Sequence, residues 1–214
     1  MSSGQKRVVV VPGITMAPIP KSKVKIFNAL KLLVAEKAYD KISVREIYDT
    51  AGVSKSTFYA NFPDKNAIVR WHYDMVMEAG VNRIGRTLSW EEGHFVTTLG
   101  FAAELPLYQQ ARQSEGQQGL LPYGLRQREA ILHETLTEYC KVDLTDKLRF
   151  QVTALAAAEQ AVAGKYLQRA ELFDVSTYVD NMLDIIPRAL FEAMQIGERE
   201  RSFVFGNPWI GAFG

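Results

Sequence analysis

Between positions 55 and 61, Lys55, Ser56, Thr57, Tyr59, Ala60 and Asn61 combine a cation, three hydroxyls, an amide and a methyl side chain. Lysine and hydroxyl groups hold phosphate oxygens, and short side chains and amides fit against base edges in a major groove. Ser54 stands just before the group and Lys65 just after it, and Ser43 opens the preceding run. At helix starts, Ser43 and Ser54 would lie where free backbone N–H groups attract anions. The alternative for both is a plain capping role. For Lys65 the alternatives are a phosphate anchor and a solvated surface charge.

Such a cluster reads DNA only if rigid elements present it. Ser43 with Glu46 three residues later has the form of a capping box and opens a short helix over Ser43–Ala51. Gly52 supplies the left-handed turn, where glycine is least strained. Ser54 caps a third short helix, Lys55–Phe62. Pro63 breaks the chain, and Asp64 caps a longer helix to about Ala79. Upstream, Ile26, Leu30, Leu33 and Val34 recur on one face of a helix that starts at Lys21 and stops near Ala38–Asp40. Ile47, Val53, Phe58 and Phe62 can close one small core with Leu30, Leu33 and Val34. The polar side chains of 55–61 then face outward.

Charge agrees with that reading. Residues 21–70 hold 10 Lys/Arg against 5 Asp/Glu, whereas residues 71–214 hold 13 against 19, so a formal net charge of +1 hides a basic segment on an acidic body. The single cysteine, Cys140, excludes an intramolecular disulfide and fits a reducing, cytoplasmic setting. No run approaches the roughly 20 apolar residues of a membrane span. His72, His94, His133 and Cys140 lack metal-ligand spacing. Hydrolase, metalloprotease and phosphate-loop motifs are missing, and adjacent carboxylates such as Glu91 and Glu92 diverge on a helix. No catalytic residue, cofactor or metal is expected, and an enzyme is not.

The run Ala51-Gly52-Val53-Ser54-Lys55-Ser56-Thr57-Phe58-Tyr59, with Phe62 and Asp64-Lys65, resembles the TetR/AcrR family of transcriptional regulators. The likeness reaches back through Ile26, Ala29-Leu30 and Leu33 to Glu36-Lys37, so that it spans about residues 24–68. It implies an all-α chain. An arm at 1–20 precedes a three-helix DNA-binding domain at 21–68. A helical ligand-binding and dimerisation domain fills 69–196, and a tail follows at 197–214. By the same resemblance, residues 55–61 form the recognition helix, Lys55, Thr57 and Tyr59 are the main DNA contacts, and Tyr59 faces the backbone. Two departures stand out. Ala38 replaces a frequent glycine. Tyr48 stands where a small residue usually lets the helices cross closely, so either its hydroxyl escapes to the surface or the helices sit further apart.

Beyond residue 80 the sequence is almost entirely helix-period. Loops are expected near Gly85–Ser89, Leu105–Pro106, Ser114–Gly119, Val142–Thr145 and Phe173–Val175. The runs Leu120–Lys141, Asp146–Ala170 and Ser176–Gln195 read as long helices, which Pro122 and Pro187 can trim or kink. Val152, Leu155, Ala156, Ala158, Val162 and Ala163 on the second run, and Val179, Met182, Leu183, Ile186, Leu190 and Met194 on the third, form stripes. Those stripes serve either a homodimer or the chain's own core. A dimer lets two recognition helices reach major grooves about 34–36 Å apart on a palindromic operator.

A small-molecule effector pocket is expected among residues 70–170. Its candidate walls are Trp71, Trp90, His94, Phe95, Phe101, Tyr108, His133, Tyr139 and Tyr166, and few buried charges would favour an apolar or aromatic ligand. Arg70-Trp71-His72-Tyr73 and Gly164-Lys165-Tyr166 look loosely like a branch related to dihydroxyacetone-kinase regulators. Val8–Val11 and Phe203–Phe205 are strand-prone and either loosely packed or paired as a ribbon. Lys6, Arg7, Lys21, Lys23 and Lys25 serve either a DNA-contacting arm or solubility. The resulting function is a ligand-responsive regulator, a repressor released from DNA by a small molecule. The competing reading is a helical protein-interaction module without specific DNA binding.

Overall fold

Side-chain caps set where the helices begin. A computed structural model describes residues 19–114, 120–166 and 174–195. Helix α1 is Lys21–Glu36, α2 is Val44–Thr50, α3 is Lys55–Asn61 and α4 is Lys65–Ala79. Ser43 and Glu46 form the reciprocal capping box on α2. Ser54 Oγ accepts the Thr57 N–H at 3.0 Å, and an Asp64 carboxylate oxygen accepts the Ala67 N–H at 2.7 Å. Gly52 turns the chain between α2 and α3 at φ +62°. Ile26, Phe27, Leu30, Ile47, Phe58 and Phe62 are nearly or fully excluded from solvent and close the expected small core. Tyr48 resolves its conflict by lying half-buried, its ring tilted edge-on to Phe58 at 6.4 Å.

The larger helical body follows. It comprises α5 (Trp90–Ala103), α6 (Leu105–Ser114), α7 (Leu120–Glu134), α8 (Asp146–Tyr166), α9 (Val175–Asp184) and α10 (Arg188–Ala193). Ser89 and Glu92 make a second capping box, on α5. Helix α4 belongs to both halves: Ile68 and Val69 enter the N-terminal core, and Tyr73, Val76 and Met77 enter the body. Its end presses on α5 because Gly80 has no side chain; a Cβ there would lie 2.7 Å from the Gly93 carbonyl oxygen. No helix among the described residues is long and apolar enough to cross a membrane.

Three expectations change. The run Ser176–Gln195 is two helices, because Pro187 breaks it after Ile185 and then serves as the N-cap of α10. The run Leu120–Lys141 ends in a π-helical turn, Thr135–Tyr139. The break before α6 falls at Glu104; Pro106 sits in the first turn, where its missing N–H costs nothing. The apolar stripes also turn inward. Val152, Leu155 and Ala156 are buried within the chain, as are Val179, Met182, Ile186, Leu190 and Met194. Among the residues that α8 leaves exposed, Phe150, Ala154, Ala157 and Ala161 are spaced four, three and four residues apart on one face. The strand-prone ends, with Lys6 and Arg7, lie outside the described residues.

Candidate nucleic-acid interface and effector cavity

Burial of Phe58 fixes which way α3 faces. With Phe58 inside, Lys55, Ser56, Tyr59 and Ala60 are exposed, together with Ser43 and Ser54 at the two helix starts. Tyr59 rests edge-on against Phe58 at 5.4 Å and is 49% exposed, so the ring is held in place with much of its surface accessible. Ser54 Oγ lies 2.8 Å from both Ser56 Oγ and Thr57 Oγ1. The serine cap therefore organises the hydroxyls at the start of α3. Ser43 Oγ donates to Glu46 at 2.8 Å, and Glu46 is ion-paired with Lys37. The hydrogen bond from Lys37, followed by those from Ser43, holds the Glu46 carboxyl at about 2. Its negative charge is thus balanced beside the interface.

Two of the candidate contacts are committed inside the domain. Asn61 Nδ2 donates to the Thr57 carbonyl at 2.7 Å, and Asn61 Oδ1 accepts from Ser22 Oγ at 3.1 Å, tying α3 to α1. Lys65 Nζ donates to the carbonyls of Tyr39 at 2.8 Å and Ile42 at 3.1 Å, and lies 4.6 Å from the Tyr39 ring centre. Partial burial lowers its pKa. Lys65 is tethered by these bonds and is not a fully solvated charge. It clamps the α1–α2 connection to α4, which leaves one of its three N–H groups uncommitted by these bonds.

The body contains a cavity of about 80 Å³ between α4, α5, α6, α8 and α9. Four of the nine sequence candidates line it: His94, Phe101, Tyr108 and Tyr166. The other five do not. Trp71 packs edge-on against Phe27 and Phe62 in the N-terminal core. Trp90 stacks on His94 and Phe191 behind the wall. Phe95 supports the Tyr178–Val179–Met182 cluster. His133 lies half-buried off the wall, and Tyr139 is 54% exposed under the Arg86 guanidinium. Sequence reasoning missed Tyr73, Met77, Glu159, Gln160, Tyr178 and Met182. A lone carboxylate in the alanine-rich run 154–163 was the available signal for Glu159.

Glu159 also corrects the expectation of few buried charges. Arg128 is fully buried and donates from Nε to Glu159 Oε2 at 2.6 Å and from a terminal nitrogen to Oε1 at 3.0 Å. Its other terminal nitrogen donates to the Val81 carbonyl at 2.9 Å. Burial alone would raise the Glu159 pKa, but the Arg128 charge and hydrogen bonds outweigh it and keep the carboxyl below its ordinary value. His94 Nε2 lies 3.4 Å from Glu159 Oε1 and has no hydrogen-bond partner. Burial, partly opposed by Glu159, brings His94 down to about 4.

Residues 26–70 match the family model for bacterial regulatory proteins of the tetR family. The N-terminal domain is a TetR-family helix-turn-helix. Solved structures extend the likeness of fold over most of the chain. The dihydroxyacetone kinase operon activator DhaS is 18% identical, with a TM-score of 0.59, covering 77% of this chain and 93% of that one. A TetR transcriptional regulator from Streptococcus agalactiae is 23% identical, with a TM-score of 0.52, covering 78% and 94%. At these identities the likeness is one of fold. No match was found among curated proteins.

The TetR-family helix-turn-helix is wired to the cavity through buried groups. The Tyr108 hydroxyl, on the cavity wall, lies 2.7 Å from His72 Nδ1, and the His72 ring stacks on Phe27 of α1 at 4.4 Å. From α6, Gln110 donates to the Val34 carbonyl at 3.0 Å and accepts the Tyr39 N–H at 2.9 Å. Lys31 and Glu104 are ion-paired at 2.5 Å across the same seam.

These histidines make the fold acid-sensitive. Burial, then the Lys31 charge, takes His72 down to about 3, and His94 is held at about 4. Both lie below the ordinary histidine value, so the unfolded chain takes up protons first as pH falls. Their stabilisation is intact above about pH 6.5 and declines toward pH 4. Urea unfolding should show a loss of roughly 2 kcal/mol per histidine between pH 7 and pH 5. A flat profile over that range would contradict the burial assigned to them.

Proposed function

We propose that the protein is a dimeric, ligand-responsive transcriptional regulator, a repressor that reads a palindromic site with two copies of α3 and leaves it when a small molecule fills the cavity. The observation that carries the reading is the exposed polar face of α3, with Lys55, Ser56, Tyr59 and Ala60 displayed by the buried Phe58. The residues given to DNA are Ser43, Ser54, Lys55, Ser56, Thr57, Tyr59 and Ala60. Asn61 and Lys65 act mainly by fixing the angle of the helix, with one Lys65 N–H left for a phosphate. A bare interaction module would leave this pairing of phosphate-binding and base-sized side chains unexplained.

The exposed face of α8 is the dimer surface in this reading. Phe150, at 75% exposure, and Ala154, Ala157 and Ala161 let a second copy of α8 approach closely. Effector binding acts through α4 and α6. Both line the cavity and both hold α1, so a ligand that favours one setting of these helices changes the spacing of the two α3 helices. Ala157→Arg should yield a monomer in sedimentation. Its melting temperature should match that of the parent, because Ala157 is exposed. Retention of operator DNA should fall by roughly 100-fold, since paired half-sites no longer act together. A variant that stays dimeric would remove α8 from the interface.

A further inference from the structure

The cavity carries more information than its existence. Resting on the ligand-responsive reading above, we infer that its ligand is a small uncharged alcohol or phenol, seated with its hydroxyl at His94 and Glu159 and its apolar body against the aromatic wall.

Three observations lead there. First, the cavity presents no uncompensated charge. The Glu159 carboxylate is matched by the bidentate Arg128 guanidinium. A charged ligand would have to lose its water without gaining a counter-ion, a cost of several kcal/mol. Second, the polar end asks for a group that both donates and accepts. His94 Nε2 is buried and unpartnered, and Glu159 Oε1 lies 3.4 Å from it. An ionised carboxylate only accepts, whereas a neutral imidazole nitrogen donates or accepts according to tautomer. A hydroxyl can donate to the carboxylate while accepting from Nε2–H, or donate to a bare Nε2. A ketone or ether can do neither of the donating tasks. Third, the remaining wall is largely apolar, with Thr97, Thr98, Gln160 and Tyr108 engaged within the chain: Thr97 accepts the Val81 N–H, Thr98 donates to the His94 carbonyl, Gln160 donates to Tyr73, and Tyr108 lies 2.7 Å from His72. Phe101 stands edge-on to Tyr108 at 5.0 Å and tilted against Tyr73 at 5.4 Å, and Met77 and Met182 complete it. A polyol would lose water along this wall without replacement.

Size narrows the class. The cavity holds about 80 Å³, below the roughly 150 Å³ of an apolar cavity that admits benzene. A single ring with one hydroxyl therefore enters with rotation of the flexible Met77 and Met182 side chains. 1-Butanol has about the volume of benzene and needs the same rotation.

The test is calorimetric titration of the full chain, without DNA, against phenol, 1-butanol, glycerol, benzoate and benzylammonium. Phenol or 1-butanol should bind at least 10-fold more tightly than the other three. His94→Leu removes the imidazole and should erase the preference for phenol over toluene, titrated in parallel as the ring without a hydroxyl. Ala163→Leu fills the cavity from α8, one turn beyond Glu159, and should abolish binding of all probes. Tighter binding of benzoate, benzylammonium or glycerol, binding undiminished in Ala163→Leu, or no binding by either phenol or 1-butanol would each overturn the inference. DNA recognition is absent from this assay. A failure here therefore leaves the DNA-reading role standing, and a protein that bound phenol but never DNA would leave the cavity assignment standing.

Discussion

Replacing Arg128 by methionine should cost about 3–5 kcal/mol of folding stability, the range for removing one member of a buried ion pair. Arg128 is fully buried and joins three parts of the chain. From α7 it holds Glu159 on α8 by two hydrogen bonds and the Val81 carbonyl at the turn after α4 by a third. Methionine roughly fills the volume but donates nothing, so a buried carboxylate and a carbonyl lose their partners together. The double variant Arg128→Met, Glu159→Leu removes the stranded charge and should recover at least half of the loss. Urea unfolding of the parent, the single and the double variant checks this. A single variant within about 1 kcal/mol of the parent would mean that the pair is hydrated or open, since exposed pairs contribute no more than that.

The second large effect concerns DNA. Lys55→Ala with Tyr59→Ala should weaken binding to the selected operator by roughly 10- to 100-fold, the weight of one or two good contacts in a groove. The loss of Lys55 should also reduce the dependence of log affinity on log salt by about one unit. Both side chains are exposed and neither seals the core, so thermal melting should fall only slightly, by the lost edge contact of Tyr59 with Phe58. Full affinity in the double variant would move the DNA surface away from α3.

How legible these features were depends on how local their causes are. The starts of α2, α3 and α4 were readable because Ser43 with Glu46, Ser54 and Asp64 cap within three residues, and Gly52 fixes the turn by its own φ. The direction taken by Lys65 was not, because its acceptors, Tyr39 and Ile42, are 26 and 23 positions away. Nor was the tie between Asn61 and α1, as Ser22 is 39 positions distant. Helical period correctly marked α8 and the α9–α10 region as striped. It could not say whether the stripe faced the chain's own core or a second copy. Most of the stripe turned inward, Ala156 included, and Ala154, Ala157 and Ala161 with Phe150 were left outside. The cavity was half legible. Aromatic residues in the right region included four true wall residues, but the polar end depends on Arg128 meeting Glu159 across 31 positions.

The measurement that bears most directly on the central claim is selection of bound duplexes from a random pool by the full-length protein at two salt concentrations. The Lys55→Ala, Tyr59→Ala variant serves as the control. A palindromic motif whose half-sites lie about 34–36 Å apart along the duplex should be recovered at both salts by the parent and lost in the control. Salt-sensitive retention with no shared motif, or an identical motif recovered by the control, would contradict it.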